Sequence, residues 1–503
     1  MPGKFENPVI REILEKYRRL WSLNHAMALM GWDEETYMPQ AGVVERATAM
    51  AELRTLYQEL LTSEQFVSLV ERAKAQENLN EYERGVVRVL DREITILKKI
   101  PPSLNYELTK TAQEAFIAWR EAKAKSNFEM FRPYLDKIID LNRQIAERLG
   151  YDENPYDALL DLNEEGLRTR DVRRVFDVLE PSLRKVLDKV MSEGYFTAKS
   201  PLEETKYDEA AMRRVNEAVL SLLEYPMDRA RLDVSPHPFT INMGVNDVRI
   251  TTRYEGFDFK RSLFSVVHEF GHATYELQVD PELDMTPIGG GVSLGVHEGQ
   301  SRFWENVVGR SPAFARLVKP ILDRELGFTR NYTDEEIYRY FAGVKPSLIR
   351  TEADEVTYNF HILLRFELEL MMINGEVKTS ELPELWNERM EKLLGVRPSN
   401  DAEGVLQDVH WAHGTLGYFP TYTLGNIVAS MMLKDLNNAG LMISDLVNSK
   451  NFKAIKDYLR DKVHRWGSTF APKDLLRRSF GKEYSPEDLV DYLQKKYIER
   501  RPY

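Results

Sequence analysis

Apolar residues recur at intervals of three and four along most of the chain, which is the spacing of an amphipathic helix. The first such pattern follows Asn7-Pro8, a pair typical of a helix start, and comprises Val9, Ile10, Ile13, Leu14 and Tyr17. Similar patterns predict helices at about 40–62, 64–77, 80–99, 103–149 with a break near Ser126-Asn127, and 170–224. The breaks are short and carry Pro, Gly or Asn. We therefore expect residues 1–225 to form a helical lobe.

The pattern changes in the middle of the chain, where β-branched residues alternate with polar ones. Residues 236–243 and 248–254 are typical of two strands around a Gly-containing turn. Helical spacing returns after this hairpin and continues to the C-terminus, interrupted by a glycine-rich connector at 287–295. Start signals of the capping-box type occur at Thr333–Glu336 and Ser485–Asp488. The sequence thus predicts a mainly α fold with a small β-sheet.

Composition narrows the class of protein. The net charge of −12 and the pI near 5.5 disfavour nucleic acid and anionic membranes as partners. The N-terminus lacks an apolar signal core, and no apolar run approaches the roughly 18 to 20 residues that span a bilayer. Cysteine is absent, which excludes disulfides, thiolate nucleophiles and Cys-containing zinc sites. We expect a cytoplasmic protein whose metal ligands, if any, are His, Asp or Glu.

The strongest chemical signal is the H-E-x-x-H sequence from His268 to His272, which lies in a mostly apolar helical pattern. Residues four apart share one helix face, so both imidazoles could bind one metal ion, with Glu269 beside them as a general base. Two structural histidines and a surface Glu are the alternative. The apolar surroundings argue against that alternative, because buried imidazoles need a partner.

A site of this kind requires a third protein ligand. His297 and Glu298 open the next helical pattern after the glycine-rich connector. Adjacent helical residues diverge by about 100°, so only one of the two can face the ion. A carboxylate would keep the net charge of the ion lower than a third histidine would, but the residues alone leave both candidates open.

A further cluster of polar side chains occurs near residues 407–422. Seven of the nine histidines lie between positions 237 and 413, and Gln407–Gly414 is followed by the aromatic run Tyr418–Tyr422. Hydrolysis through a tetrahedral intermediate needs hydrogen-bond donors for the developing oxyanion, and such a segment could supply them. Hydrogen-bonded structural histidines are the alternative. The acidic stretch Trp32–Pro39 is more typical of a solvated helix end than of a site.

Several ordered motifs together are far more specific than one. They are W-D-x-x-T-x-M-P at Trp32–Pro39, H-P-F at His237–Phe239, D-x-R-x-T at Asp247–Thr251, H-E-x-x-H at His268–His272, H-E-[SG]-Q at His297–Gln300, the Arg350 segment Ile349–Asp354, and G-x-x-Q-D-x-H-W at Gly404–Trp411. On these residues the sequence resembles the M32 family of metallocarboxypeptidases over essentially its whole length. Gly299 suggests similarity to the thermostable, archaeal branch of that family.

The resemblance implies a gluzincin-like helical metallopeptidase with a deep substrate groove and a small β-sheet beside the metal. Residues 1–503 would form a single M32-type unit, with 1–225 as the N-terminal lobe and 226–503 as the catalytic region. Such an enzyme removes C-terminal residues from peptides with broad specificity and is usually a homodimer. It would hold one divalent metal ion per subunit, Zn²⁺ being favoured and Co²⁺ the alternative, since His/His/Glu sites accept both.

The resemblance also implies roles for single residues. His268, His272 and Glu298 would bind the metal, Glu269 would be the base, and Arg350 would bind the terminal carboxylate of the substrate. The remaining assignments are His237 and Arg249 at the groove end that limits substrate length, His413 and Tyr422 on the oxyanion, and Tyr418 as the rival of Tyr422. A related helical oligoendopeptidase or dipeptidyl carboxypeptidase is the alternative enzyme. A helical binding protein with a structural metal is the alternative outside catalysis.

Overall fold

Helices dominate the structure, a computed structural model that describes residues 3–501 and 503. The N-terminal helices are α1 (Pro8–Thr36), α2 (Val43–Leu61), α3 (Glu64–Lys74), α4 (Glu81–Lys99), α5 (Pro102–Lys125), α6 (Arg132–Leu149), α7 (Pro155–Asn163), α8 (Thr169–Glu193) and α9 (Glu209–Leu222). The Asn7 side chain accepts hydrogen bonds from the Val9 and Ile10 amides, as the sequence predicts for a cap. The predicted break after α5 is confirmed, and it falls at Ser126, whose φ is 49°.

One predicted helix is wrong. The pattern at 170–224 forms two helices, because α8 ends at Gly194 with φ 72° and α9 starts only after the Asp208 side chain caps it. The short turn Pro201–Glu203 and a bridge between Lys206 and Phe257 occupy the interval.

The small sheet contains β1 (Ala230–Val234), β2 (Thr240–Asn242) and β3 (Val248–Thr252) in the order β1-β3-β2. The predicted hairpin is confirmed by the antiparallel pairing of β2 with β3, in which Thr240 lies opposite Ile250. Strand β1, which the sequence pattern did not reveal, pairs with β3 in parallel. This order leaves β2 at one edge of the sheet, against the helix that follows.

That helix is α10 (Lys260–Leu277), which carries the H-E-x-x-H sequence. The remaining helices are α11 (Leu294–Arg302), which continues as a π-helical turn over Phe303–Gly309, α12 (Pro312–Glu325), α13 (Asp334–Phe341), α14 (Tyr358–Asn374), α15 (Leu382–Leu394), α16 (Pro420–Asn438), α17 (Ile443–Asn448), α18 (Phe452–Lys462), α19 (Pro472–Phe480) and α20 (Pro486–Gln494). The mainly α fold with a small β-sheet is therefore confirmed.

The two predicted capping boxes have different outcomes. At Thr333, both reciprocal hydrogen bonds with Glu336 form, so the box is present. At Ser485, helix α20 starts where predicted, but the hydroxyl donates to the Glu487 carboxylate at 3.2 Å and leaves the helix amides uncapped. Proline at the first helical position accounts for the correct start, since its φ is preset for a helix.

Two groups of buried apolar side chains stabilise the fold. The smaller lies among α1–α4 and includes Val245, Val279, Leu283 and Ile288 from the segments on either side of α10. The larger extends continuously from α5 to α20 and contains the buried face of α10. Within the described residues, no helix is long and apolar enough to cross a membrane. The division into regions 1–225 and 226–503 and the deep groove remain predictions.

Candidate active site and metal centre

Three side chains from two helices converge as metal ligands would. His268 and His272 of α10 lie 3.6 and 3.4 Å, Nε2 to Oε2, from Glu298 of α11. In the part of the chain that the structure describes, these three form the group whose ligand atoms all lie within 4.8 Å of one another. Two imidazole nitrogens and a carboxylate oxygen are a donor set that suits Zn²⁺ and related ions. The residues present therefore fit a divalent metal ion.

Glycines allow the ligand helices to approach this closely. A Cβ at Gly271 would lie 2.5 Å from the Gln300 carbonyl oxygen on α11, a distance that real Cβ atoms do not show. At Gly299 a Cβ would lie 2.5 Å from Val428 Cγ1, and at Gly425 it would lie 2.4 Å from Glu298 Cγ. Both Val428 and Gly425 belong to α16, so Glu298 is held between α10 and α16.

Glu305 and Arg302 form hydrogen-bonding contacts with His268 and Glu298. The Nδ1 atom of His268 lies 2.8 Å from Glu305 Oε2, which comes from the π-helical turn after α11. Arg302 donates to Glu298 at 2.7 Å and to Glu305 at 3.2 Å. Burial opposes ionisation of Glu298, but Arg302 and His268 hold the pKa of this carboxyl well below its usual value. Glu298 is therefore ionised, and Nε2 of His268 faces its carboxylate without being used by Glu305.

A different chain of groups supports His272. Its Nδ1 lies 2.7 Å from Nδ1 of His297, whose Nε2 lies 2.6 Å from Glu276 Oε1. Burial lowers the pKa of His272 to about 4, so its imidazole is neutral. With Nε2 on a metal, His272 would carry its proton on Nδ1 and donate to His297, which in turn would donate to Glu276. The structure thus places His297, the rival third ligand, between His272 Nδ1 and Glu276 rather than in the group formed with Glu298.

Glu269 is buried beside these ligands and is positioned by strand β2. Thr240 Oγ1 donates to Glu269 Oε2 at 2.6 Å and lies 3.2 Å from its backbone oxygen. Burial raises the pKa of the Glu269 carboxyl, whereas His268 and the Thr240 hydroxyl oppose this shift. Among the described residues no hydrogen bond reaches Oε1, which leaves that oxygen available to a water molecule.

Removing the Thr240 hydroxyl should therefore reduce turnover. We expect Thr240→Val to lower kcat about tenfold, because Glu269, the predicted base, loses the bond that fixes its carboxylate, and general-base catalysis depends on such positioning. Thr240→Ser keeps the hydroxyl and is the matched control, with kcat near that of the unaltered chain. Steady-state kinetics on a blocked dipeptide would measure both. Equal rates for the two variants would contradict this role.

Arg350 lies in a buried network of charges. Its Nε and Nη2 atoms lie 2.9 Å from Asp408 Oδ1, and its Nη1 donates to the Tyr358 hydroxyl at 2.9 Å. The other Asp408 oxygen accepts from Arg365 at 2.6 Å. Among the residues that the structure describes, two guanidinium groups share the single Asp408 carboxylate, so the network has a net charge of +1. The Tyr358 ring also lies 4.7 Å from the Arg302 guanidinium, which connects this network to the metal ligands.

The tyrosines of the aromatic run lie at this network. The Tyr422 ring is 5.1 Å from the Arg350 guanidinium and 5.4 Å from the Tyr418 ring. Burial raises the pKa values of both phenols, so both are neutral donors. The structure leaves the choice between Tyr418 and Tyr422 open.

The histidine that accompanies the tyrosines is His410. Its Nε2 lies 3.2 Å from the Tyr422 hydroxyl, and burial lowers its pKa to about 4. His413, in contrast, is exposed, and its ring lies 5.1 Å from Phe116. The structure thus brings His410, rather than His413, to the tyrosines. The signal was present in the sequence, since His410 is the histidine within the G-x-x-Q-D-x-H-W motif.

Across the described chain, no hydrogen bond or ion pair joins His237 or Arg249 to His268, His272 or Glu298. His237 is exposed in the loop before β2. Arg249 of β3 donates to both Asp247 oxygens at 2.8 Å and lies 4.4 Å above the Trp32 ring of α1. Their predicted place at the end of a groove remains a prediction.

Known proteins resemble this chain over nearly its whole length. The family profile of carboxypeptidase Taq (M32) metallopeptidase matches residues 12–497. Thermostable carboxypeptidase 1 of Pyrococcus furiosus is 53% identical over 499 residues, which cover 99% of this chain and 100% of that protein. The protein of the same name in Thermus thermophilus is 37% identical over 97% of this chain and 98% of its own length. The solved structure of Pyrococcus furiosus carboxypeptidase "Apo-Mg", also 53% identical, superposes with a TM-score of 0.97 over 98% of this chain and 100% of that one.

Proposed function

The chain belongs to the carboxypeptidase Taq (M32) family of metallopeptidases, and on this basis we propose that His268, His272 and Glu298 hold its catalytic metal ion. The protein is a metallocarboxypeptidase that acts on peptides. The oligoendopeptidase or dipeptidyl carboxypeptidase alternative is not favoured, because the family and the relatives are named as carboxypeptidases. The observation that carries our proposal is the convergence of the two Nε2 atoms on one carboxylate oxygen.

The proposed mechanism assigns the proton transfers to Glu269. A divalent ion, when bound, supplies Lewis-acid activation of the attacking water and of the scissile carbonyl. Glu269 takes a proton from this water through Oε1, while Thr240 holds Oε2. The water oxygen forms the new bond to the carbonyl carbon, and Glu269 passes the proton to the peptide nitrogen as the C–N bond breaks, so the C-terminal residue leaves with a free amine. The neutral phenol of Tyr418 or Tyr422 donates to the oxyanion, and the position of His410 beside Tyr422 supports a role for this histidine rather than for His413.

We propose that Arg350 binds the free C-terminus of the peptide. Its Nε donates to Asp408 and its Nη1 to Tyr358, while Nη2 lies 2.9 Å from Asp408; because a guanidinium has five N–H donors, each Nη atom retains a hydrogen. A substrate carboxylate would accept from this remaining pair and would neutralise the net positive network. Edge strand β2 lies beside Glu269 and could add the peptide main chain as a further strand. A plain structural hairpin is the alternative for β2.

Removing the metal should abolish activity reversibly. We expect dialysis against a chelator to eliminate hydrolysis and to lower the melting temperature, because bound metal stabilises the folded chain by about 4 kcal/mol at a thousandfold excess over Kd. Adding Zn²⁺ or Co²⁺ back should restore both. His272→Ala should no longer show a metal-dependent rise in melting temperature, whereas His413→Ala should show the full rise. An unchanged rise in His272→Ala would contradict the ligand assignment.

Other properties remain proposals. We propose one ion per subunit, with Zn²⁺ favoured and Co²⁺ accepted, because the His/His/Glu donors suit both. A cytoplasmic, thermostable homodimer is proposed from the composition and from the family resemblance. Sedimentation equilibrium of the purified protein would test the dimer.

A further inference from the structure

Helix α14 is mostly apolar and carries three buried polar side chains on one face. Tyr358, Arg365 and Glu369 are separated by seven and four residues, and at about 100° per residue they fall within a narrow arc. All three are buried, and Arg365 and Glu369 have no exposed surface. Tyr358 contacts Arg350, and Arg365 contacts Asp408. Glu369 has no such contact with the site, and the mechanism above gives it no role.

Glu369 accepts hydrogen bonds from three donors on two other segments. Its Oε1 accepts from Trp411 Nε1 at 2.8 Å, and its Oε2 accepts from the Gly417 amide at 2.9 Å and from the Tyr156 hydroxyl at 2.6 Å. Burial raises the pKa of this carboxyl to about 7, opposed by the three donors. Among the described residues no ion pair includes Glu369, and its two oxygens are occupied by these three donors.

A carboxyl group, with an acceptor on each oxygen, satisfies both Trp411 and Gly417, whereas an amide does not. These two groups donate and cannot accept, and they approach different oxygens. A glutamine has one acceptor oxygen, so its amide hydrogens would face either the indole N–H or the backbone N–H. Either Trp411 or Gly417 would then lose its hydrogen bond and face a donor instead.

Trp411 and Gly417 are each adjacent in sequence to a residue proposed to act on the oxyanion. Trp411 directly follows His410, and Gly417 directly precedes Tyr418. The His410 ring packs 4.4 Å from Phe419 and 5.5 Å from Tyr418, so both ends of the segment meet at the site. Gly417 has φ 78° and lies against the α7 backbone, where a Cβ would come 2.7 Å from the Leu159 carbonyl. Each end of the segment is therefore fixed to the buried core next to a reacting group.

We propose that Glu369 is a positioning residue that fixes segment 411–417 and thereby sets His410 and Tyr418 for catalysis. This inference rests on the proposed function, since it acts through the residues assigned there to the oxyanion. Displacements of about 1 Å at such groups reduce rates by up to roughly 10²-fold. Substrate binding through Arg350 should be spared, because Arg365 holds Asp408 independently of Glu369.

The experiment compares Glu369→Gln with Tyr156→Phe in the metal-loaded enzyme. We expect Glu369→Gln to lower kcat at least tenfold with KM changed less than twofold on a blocked dipeptide. Tyr156→Phe removes the third donor, keeps the buried ring and leaves the Gly417 and Trp411 bonds in place, so its kcat should change less than twofold. Hydrogen exchange of residues 411–417 should accelerate in Glu369→Gln only.

The outcomes separate positioning from simple structural support. A folded Glu369→Gln enzyme with kcat within twofold of the unaltered chain would overturn the proposal, as would equal losses in both variants. If Glu369→Gln does not fold, Trp411→Phe removes a single donor and keeps the carboxylate, and its kcat should fall about threefold or more at constant KM; no change would also overturn the proposal. Inactivity of the unaltered, metal-loaded chain would instead count against the proposed function.

Discussion

Glu269→Gln is expected to lower kcat by about 10³-fold while the protein still binds its metal ion. The amide has nearly the same shape as the carboxylate and can keep the Thr240 hydrogen bond, but it cannot take a proton from water. Because Glu269 is outside the three-ligand group, its loss leaves the donor set intact. Turnover of a blocked dipeptide would be measured together with the metal content of the same sample.

The metal content makes the result interpretable. If Glu269→Gln retains one ion per chain and loses turnover, the defect lies in proton transfer. Thr240→Ser serves as a control for disturbance of the β2 contact, since it changes the partner of Glu269 without removing the hydroxyl. A rate above one tenth of the original in the metal-loaded Glu269→Gln protein would contradict the assignment of Glu269 as the general base.

Arg350→Met is expected to lower kcat/KM for peptides with a free C-terminus by about 10²-fold. Hydrogen bonds to charged groups contribute about 1.5 to 3 kcal/mol each, and 1.4 kcal/mol corresponds to a factor of ten. The variant should fold, because Asp408 keeps Arg365 as its partner. Arg350→Lys retains the charge but lacks the planar pair of donors, so an intermediate loss is expected.

The same assay on C-terminally amidated peptides separates substrate recognition from general damage. The unaltered chain should cleave amidated peptides poorly, and Arg350→Met should reduce that slow cleavage little further. A variant that loses the same factor on both kinds of peptide would show that Arg350 supports the structure rather than the carboxylate. Equal hydrolysis of free and amidated peptides by the unaltered chain would favour an endopeptidase.

Much of this architecture follows from local sequence patterns. Helices whose apolar residues recur regularly, such as α4 and α6, lie close to their predicted bounds. The hairpin β2-β3 was predictable because its turn and strand residues are adjacent in sequence. The H-E-x-x-H spacing placed His268 and His272 on one face of α10, since four residues make about one helical turn.

Other features depend on contacts that sequence spacing does not encode. Strand β1 pairs in parallel with β3, and its burial does not follow the apolar–polar alternation of its five residues, since Asp233 is buried and Val234 is exposed. The boundary between α8 and α9 depends on the left-handed Gly194 and the Asp208 cap within a helical pattern. The position of His297 behind His272 follows from how closely α11 packs on α10 at Gly271.

The buried charges were the least predictable part of the candidate site. Arg365 and Glu369 were not singled out in the sequence, although two charged residues on one face of an apolar helix were a usable signal. The choice between His410 and His413 could not come from helical spacing, because the segment forms turns rather than a regular helix, although the G-x-x-Q-D-x-H-W motif contains His410 and not His413. The positions of these residues relative to the site follow from tertiary contacts and not from the spacing of apolar residues.

The assignment of His268, His272 and Glu298 as metal ligands is tested most directly by locating the ion itself. Crystals of the protein loaded with Zn²⁺ or Co²⁺ would be measured on either side of the absorption edge of that metal. The account predicts one anomalous peak per chain, enclosed by the Nε2 atoms of His268 and His272 and the Glu298 carboxylate. A peak bound by His297 in place of Glu298, or a peak elsewhere in an active enzyme, would contradict it.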